Sequence, residues 1–131
     1  MPGAQRFDLG NYNYPGVVVA EKTLDVLNGV GTRAIEAHVM KLSQRLIDGL
    51  LSLGLPVAGG KAGSHTSNIV CLGHIGAGGN DTAEDPKILL LSGRLSAGGV
   101  VHTIRRGMIR VSFHLYNNEV DVDRFLDLVK T

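Results

Sequence analysis

Tryptophan is absent from this chain and cysteine occurs once, at Cys71. A single thiol excludes an internal disulfide framework and fits a reducing compartment. Cys71 lies in the apolar run Ile69 to Leu72, where it reads as a buried, inert thiol and not as a nucleophile. Net charge is almost missing as well, with 13 Lys+Arg against 12 Asp+Glu. That balance gives no electrostatic footprint for nucleic acid or an anionic membrane. Scattered basic residues and only three tyrosines offer no platform on which bases could stack. No apolar run approaches the ~20 residues that a membrane-spanning helix needs, and the polar start from Met1 to Arg6 does not read as a signal peptide. A soluble cytoplasmic protein is the expectation.

Metal and nucleotide motifs are lacking too. His38, His65, His74, His102 and His114 show no ligand spacing, so no metal is expected. Gly60-Lys61 is no phosphate loop: Leu55 stands where the first glycine belongs, and Ala62 replaces the hydroxyl that would hold magnesium. The stretch from Gly76 to Asn80 lacks the third glycine of a dinucleotide loop, since Asp81 stands there.

What the chain does have is periodicity. Residues 1–14 show none and read as an extended arm. Pro15-Gly16 can open a helix, followed by Val17, Ala20, Leu24 and Leu27 at helical spacing up to Asn28-Gly29. Thr32 opens the clearest helix, with Ile35, Val39, Leu42, Leu46, Leu50 and Leu53 on one stripe. Leu55 to Ala58 reads as a short edge strand, because Pro56 cannot donate to a ladder on both sides. Ser67 to Gly73 reads as a buried strand. Ile88, Leu91 and Leu95 mark a third helix, with alternative starts at Asp81 and at Asp85-Pro86. Val100 to Ile104 and Met108 to Leu115 read as strands joined by a turn at Arg106-Gly107. On the second, Ile109, Val111, Phe113 and Leu115 share one face while Arg110, Ser112 and His114 share the other. Asn118 caps a final amphipathic helix carrying Val122, Phe125, Leu126 and Val129. This order predicts an α/β (α+β) two-layer sandwich, a small mixed sheet covered by helices.

The run Arg105-x-Gly107-x-Ile109-Arg110-x-Ser112-x-His114-x-Tyr116-Asn117, continued by Asp121-Val122-Asp123-Arg124, resembles the end of the class V aminotransferases. These are fold type I pyridoxal-phosphate enzymes, and the similarity is strongest to the cysteine desulfurase and isopenicillin N epimerase-like branch. The block from Arg6 to Gly16 resembles the segment that closes the large domain of that family. The resemblance implies the end of the large domain and a linking helix over 1–30, then a C-terminal small domain over 31–131.

It also implies roles. From composition alone, Arg105, Arg106 and Arg110 read as a solvated strand face. The resemblance instead gives Arg105 the substrate α-carboxylate, which a planar guanidinium can grip with two hydrogen bonds. Arg110 is then expected in a structural salt bridge or secondary site, with His114 in a structural hydrogen bond beside it. Asn11 and Asn13 match a block near the cofactor pocket and are the further substrate-binding candidates. Lys22, Lys41, Lys61, Lys87 and Lys130 do not match the cofactor lysine's motif, so no catalytic residue is assigned and no cofactor is expected on this chain alone. A complete relative would use pyridoxal phosphate on an amino acid, by desulfuration, epimerisation or transamination. It would pair with a large-domain partner or form a homo-oligomer. The competing reading is a stand-alone, non-catalytic module that binds a small carboxylate or a partner subunit, and kynureninase-like hydrolysis is a third.

Overall fold

The computed structural model describes residues 3, 10, 13–76 and 79–130. Its elements, in order, are α1 (Tyr14–Val30), α2 (Thr32–Ser52), β1 (Ile69–Leu72), α3 (Pro86–Ala97), β2 (Thr103–Arg105), β3 (Met108–Ser112) and α4 (Glu119–Lys130). The chain divides into two compact units, residues 1–34 and 35–131.

In the first unit, Asn13 caps α1 by accepting from the Gly16 N–H at 3.1 Å. Pro15 in the first turn needs no hydrogen bond there, which makes the start favourable. The helix is apolar without being buried: Val17, Val18, Val19, Leu24, Val26 and Val30 are all exposed.

In the second unit, the strands form one sheet in the order β1-β3-β2, antiparallel throughout. The expected α/β layering is present, but the expected mixed sheet is not. Two-residue hairpins and long helical excursions both return these strands in opposite directions, and sequence periodicity carries no information on strand direction. The expected strand at Leu55 to Ala58 shrinks to one bridge, Val57 opposite Leu72. It is framed by hydrogen bonds from Gly73 to the Pro56 carbonyl and from Ala58 to the Cys71 carbonyl. Pro56 has no N–H to extend the ladder.

One sheet face carries the core. Val70, Leu72 and Ile109 pack against Val39, Leu42, Leu46 and Leu50 of α2, Ile88, Leu91 and Leu95 of α3, and Val122, Phe125 and Val129 of α4. Leu46, Leu50, Leu95, Ile109 and Val122 are wholly buried. Truncating one of these leucines to alanine removes about 2–5 kcal/mol by lost transfer energy plus the cavity left behind. α4 is also tied to α2 at its rim, through Lys41–Glu119 at 2.6 Å and Arg45–Asp123 at 2.7 Å. The His38 Nε2 donates to the Asn117 carbonyl at 2.8 Å, which places the proton of a neutral ring on that nitrogen.

Local signals explain the helix starts. Asp85 caps α3 by accepting from Lys87 N–H, so the second of the two predicted starts is the one used. Asn118 accepts from Val120 N–H at 2.8 Å, while Asp121 reaches back to Asn118 N–H at 3.0 Å. This reciprocal pair satisfies two of the donors that a helix leaves open at its first turn.

Candidate functional site

The other sheet face is the candidate site, and the β2–β3 hairpin builds it. Arg106 and Gly107 both have positive φ, 49° and 82°. A two-residue hairpin with the twist of its strands requires this, and glycine accepts it without strain. The tip is fastened from outside. Gly76 N–H donates to the Arg106 carbonyl at 2.8 Å, Arg106 N–H to the Asn80 carbonyl and Gly107 N–H to the Thr82 carbonyl, both at 3.1 Å. A side chain at position 107 would also stand about 3.1 Å from the Gly76 nitrogen, so this turn admits only glycine.

Register then decides which side chains meet. Thr103, Arg110 and Cys71 form one row across the three strands, with Ser112 opposite Ile69 in the next. These side chains alternate with the core-facing ones and are half-buried or exposed. Met108, beside Gly73 at the other end, is the buried exception on this face. Burial pushes the Cys71 thiol up from its ordinary pKa, and the nearby Arg110 charge pulls the other way. The thiol is half-buried, where the apolar run predicts a buried one.

The two candidate arginines differ in their partners. Arg105 donates from Nη1 to Asp81 Oδ1 at 2.8 Å, an ion pair with both side chains well exposed. Arg110 is half-buried, and among the described residues it makes no ion pair or hydrogen bond. These pairings run opposite to the expectation that Arg105 binds a ligand and Arg110 an internal carboxylate. Asp81 reads in the sequence as a possible helix cap and as the residue that breaks a dinucleotide loop; its distance of 24 residues from Arg105 leaves no local pattern that could have exposed the pair.

His114 falls outside the strand on which it was expected. β3 ends at Ser112, where Phe113 N–H turns to the Asn68 carbonyl at 2.8 Å. The His114 ring instead stacks on Tyr116, with centroids 4.9 Å apart, and its backbone N–H donates to Asn117 Oδ1 at 2.9 Å. Asn13 is engaged in capping α1. Asn11 lies outside the described residues.

Pyridoxal phosphate, which the resemblance implies, needs a Schiff-base lysine in a closed pocket with an acid at the pyridine nitrogen. Lys22, Lys41 and Lys130 are exposed and paired with Asp25, Glu119 and Asp127. Lys61 and Lys87 are exposed on a loop and at the start of α3. The described residues of this chain therefore do not fit the covalent cofactor site. No group of three His, Cys, Asp or Glu among them is placed to hold a metal ion, and no described helix is long and apolar enough to cross a membrane.

Comparison with known proteins supplies the context for this half-site. Residues 2–125 match the family model described as aminotransferase class-V. The chain is 27% identical over 130 residues to a probable cysteine desulfurase of Pyrococcus abyssi (strain GE5 / Orsay), covering 96% of this chain and 32% of that protein. The apo structure of cysteine desulfurase from Thermococcus onnurineus NA1 superimposes with a TM-score of 0.76 at 19% identity, covering 99% of this chain and 34% of that one. A NifS-like protein superimposes with a TM-score of 0.68 at 24% identity, over 92% of this chain and 34% of that one. The two structural likenesses speak for the fold, and the chain spans about a third of the length of these relatives.

Proposed function

Because the chain belongs to the class V aminotransferase family, we propose that it is the small, C-terminal domain of a pyridoxal-phosphate enzyme acting on an amino acid. Cysteine desulfuration is the favoured chemistry, since the relatives it matches in sequence and in fold carry that name. The cofactor, which supplies the electron sink for amino-acid chemistry, belongs in this reading to the part of such an enzyme that this chain does not match. A large-domain partner or a second copy would complete the assembly.

This chain's contribution is recognition of the substrate carboxylate, and the observation that carries it is Arg110, half-buried on the sheet face opposite the core and without an ion pair or hydrogen bond among the described residues. A guanidinium partly removed from water is stabilised by an anion, and its planar fork matches a carboxylate with two parallel hydrogen bonds. Arg105, assigned that role from the resemblance, already has a carboxylate in Asp81. We therefore give Arg110 the substrate and Arg105 the task of bracing the hairpin against the 80–82 segment. Thr103 and Ser112 stand beside Arg110 as hydroxyl donors on the same face.

The test is a chimera in which this chain replaces the matching third of the Pyrococcus abyssi relative. Sulfide release from cysteine is the expected result. A chimera that folds and holds pyridoxal phosphate, yet turns over no amino acid, would leave the non-catalytic module as the better reading.

A further inference from the structure

Away from the sheet face, the connection between α3 and β2 brings together a serine and a histidine that the amino-acid reading does not use. Ser92 Oγ lies 2.7 Å from His102 Nε2, and His102 Nδ1 lies 3.0 Å from the Val100 carbonyl. A carbonyl oxygen cannot donate, so in the neutral ring Nδ1 carries the proton and Nε2 is left with its lone pair. The Ser92 hydroxyl must then donate to Nε2. This is the arrangement of an activated nucleophile: hydroxyl bonded to base, and base oriented by a third group, here a backbone carbonyl in place of a carboxylate.

The pair faces space in which a substrate could sit. An open surface hollow of about 520 Å³ is lined by Ser92, Ser96, His102, Val101, Ile104 and Asp81, among others. Its walls are polar and apolar in near-equal parts, with the Asp81 carboxylate held by Arg105 and Val101 almost fully exposed. Ser96 stands one helical turn beyond Ser92 on the same face of α3, and its hydroxyl makes no hydrogen bond among the described residues. It is free to donate to an oxygen that becomes negative during attack at Ser92.

We propose that Ser92 and His102 form a nucleophile–base pair that accepts the acyl group of a small carboxylic ester. Ser92 Oγ attacks the ester carbonyl while its proton passes to His102 Nε2. The new Oγ–C bond forms, the ester C–O bond breaks, and the departing alkoxide takes the proton from Nε2. Water then attacks the acyl-serine, His102 Nε2 removes its proton, and Ser92 regains a proton as the carboxylic acid leaves. No oxidant or metal is needed.

The experiment treats the protein with p-nitrophenyl acetate and locates acetyl groups by peptide mass spectrometry. Ser52 and Ser64 are exposed, whereas Ser92 is half-buried, so accessibility alone predicts that Ser92 reacts last. We expect the reverse, with Ser92 acetylated first and phenolate release following the same time course. In His102→Gln, shown to be folded by circular dichroism, labelling of Ser92 should fall at least about a hundredfold, the lower end of what a positioned general base contributes. In Ser92→Ala the early phase should vanish. Acetylation of Ser92 no faster than Ser52 or Ser64 in the unaltered protein overturns the proposal without any variant. So does an undiminished label at Ser92 in folded His102→Gln. Neither result bears on Arg110 or on the amino-acid reading.

Discussion

Arg105 donates through Nη1 to Asp81 Oδ1 at 2.8 Å, closing 24 residues of chain into a brace for the β2–β3 turn. An exposed pair of this kind is worth about 0–1 kcal/mol, and its consequence is to occupy the guanidinium. In the chimeric enzyme, Arg110→Lys should raise KM for the amino acid roughly tenfold, ~1.4 kcal/mol, because a point charge cannot reproduce a bidentate fork. Arg105→Lys should leave KM within about twofold, since Lys can still meet Asp81. Steady-state kinetics on both variants decides the matter. If Arg105→Lys carries the KM defect and Arg110→Lys only lowers the melting temperature, the roles are reversed.

Cys71 should report on the same face. Its thiol is pushed up by burial and pulled down by the Arg110 charge, the first effect being the larger. Iodoacetamide at fixed mildly alkaline pH should therefore modify the folded chain more slowly than the denatured one. Arg110→Gln should slow it further, by removing the cation that favours thiolate. For stability the sign is that of a raised pKa. The contribution is fully present below the unfolded thiol value of about 8.5 and is lost as pH rises through the folded one. Faster alkylation in Arg110→Gln would mean that the guanidinium shields the sulfur instead of tuning it.

Helices α2 and α4 and the Arg106-Gly107 turn were legible because their signals are local: a 3–4 apolar spacing, a cap, a glycine with positive φ. The start of α3 was legible as two candidates, and Asp85 with Pro86 prevailed because a proline in the first turn suits the helix. What was not legible is long-range. The antiparallel direction of β1 depends on how distant segments meet, and so does the Arg105–Asp81 pair, which needs the hairpin tip beside the 80–82 segment. β3 ended three residues early for the same reason: Asn68 captures Phe113 N–H and releases His114 into a turn. The Ser92–His102 pair likewise has no sequence signature, since no fixed spacing links a helix to the strand that follows it.

The rim between α2 and α4 should soften in acid. The Glu119 carboxyl lies below its ordinary pKa, first through its hydrogen bond from Lys41 and then through that lysine's charge. A depressed carboxyl pKa contributes stability that is present above the unfolded value of about 4.3 and is lost as pH falls through the folded one. The melting temperature should fall between pH 5 and pH 3, and Glu119→Gln should start lower at pH 5 but lose less over that interval. Parallel acid profiles for the two proteins would show that this pair is energetically silent.

The apolar surface of α1 should make the chain sticky on its own. Val17, Val18, Val19, Leu24, Val26 and Val30 are exposed on one 17-residue helix. Leaving such area in water is unfavourable by roughly 25 cal/mol per Å². Sedimentation velocity at rising concentration should show association, and Val18→Glu with Val26→Glu should reduce it. A chain that stays monomeric and binds no hydrophobic dye would count against a covering partner.

Ser43 is wholly buried in α2, and its hydroxyl has no hydrogen-bond partner among the described residues. A buried polar group without a partner costs about 1–3 kcal/mol, because it gave up water and received nothing in exchange. Alanine removes that oxygen and nothing else, and it is the stronger helix former by roughly 0.5 kcal/mol. The void left by one hydroxyl is small, so cavity loss cannot offset both terms. Ser43→Ala should therefore raise stability by about 1 kcal/mol, seen as a later midpoint in urea with an unchanged slope. Ser43→Val is the discriminating control. It also lacks the hydroxyl but adds methyl groups at a position that is already wholly buried, and it should fall below Ser43→Ala. A destabilised Ser43→Ala would mean that the hydroxyl bonds a carbonyl of its own helix in solution.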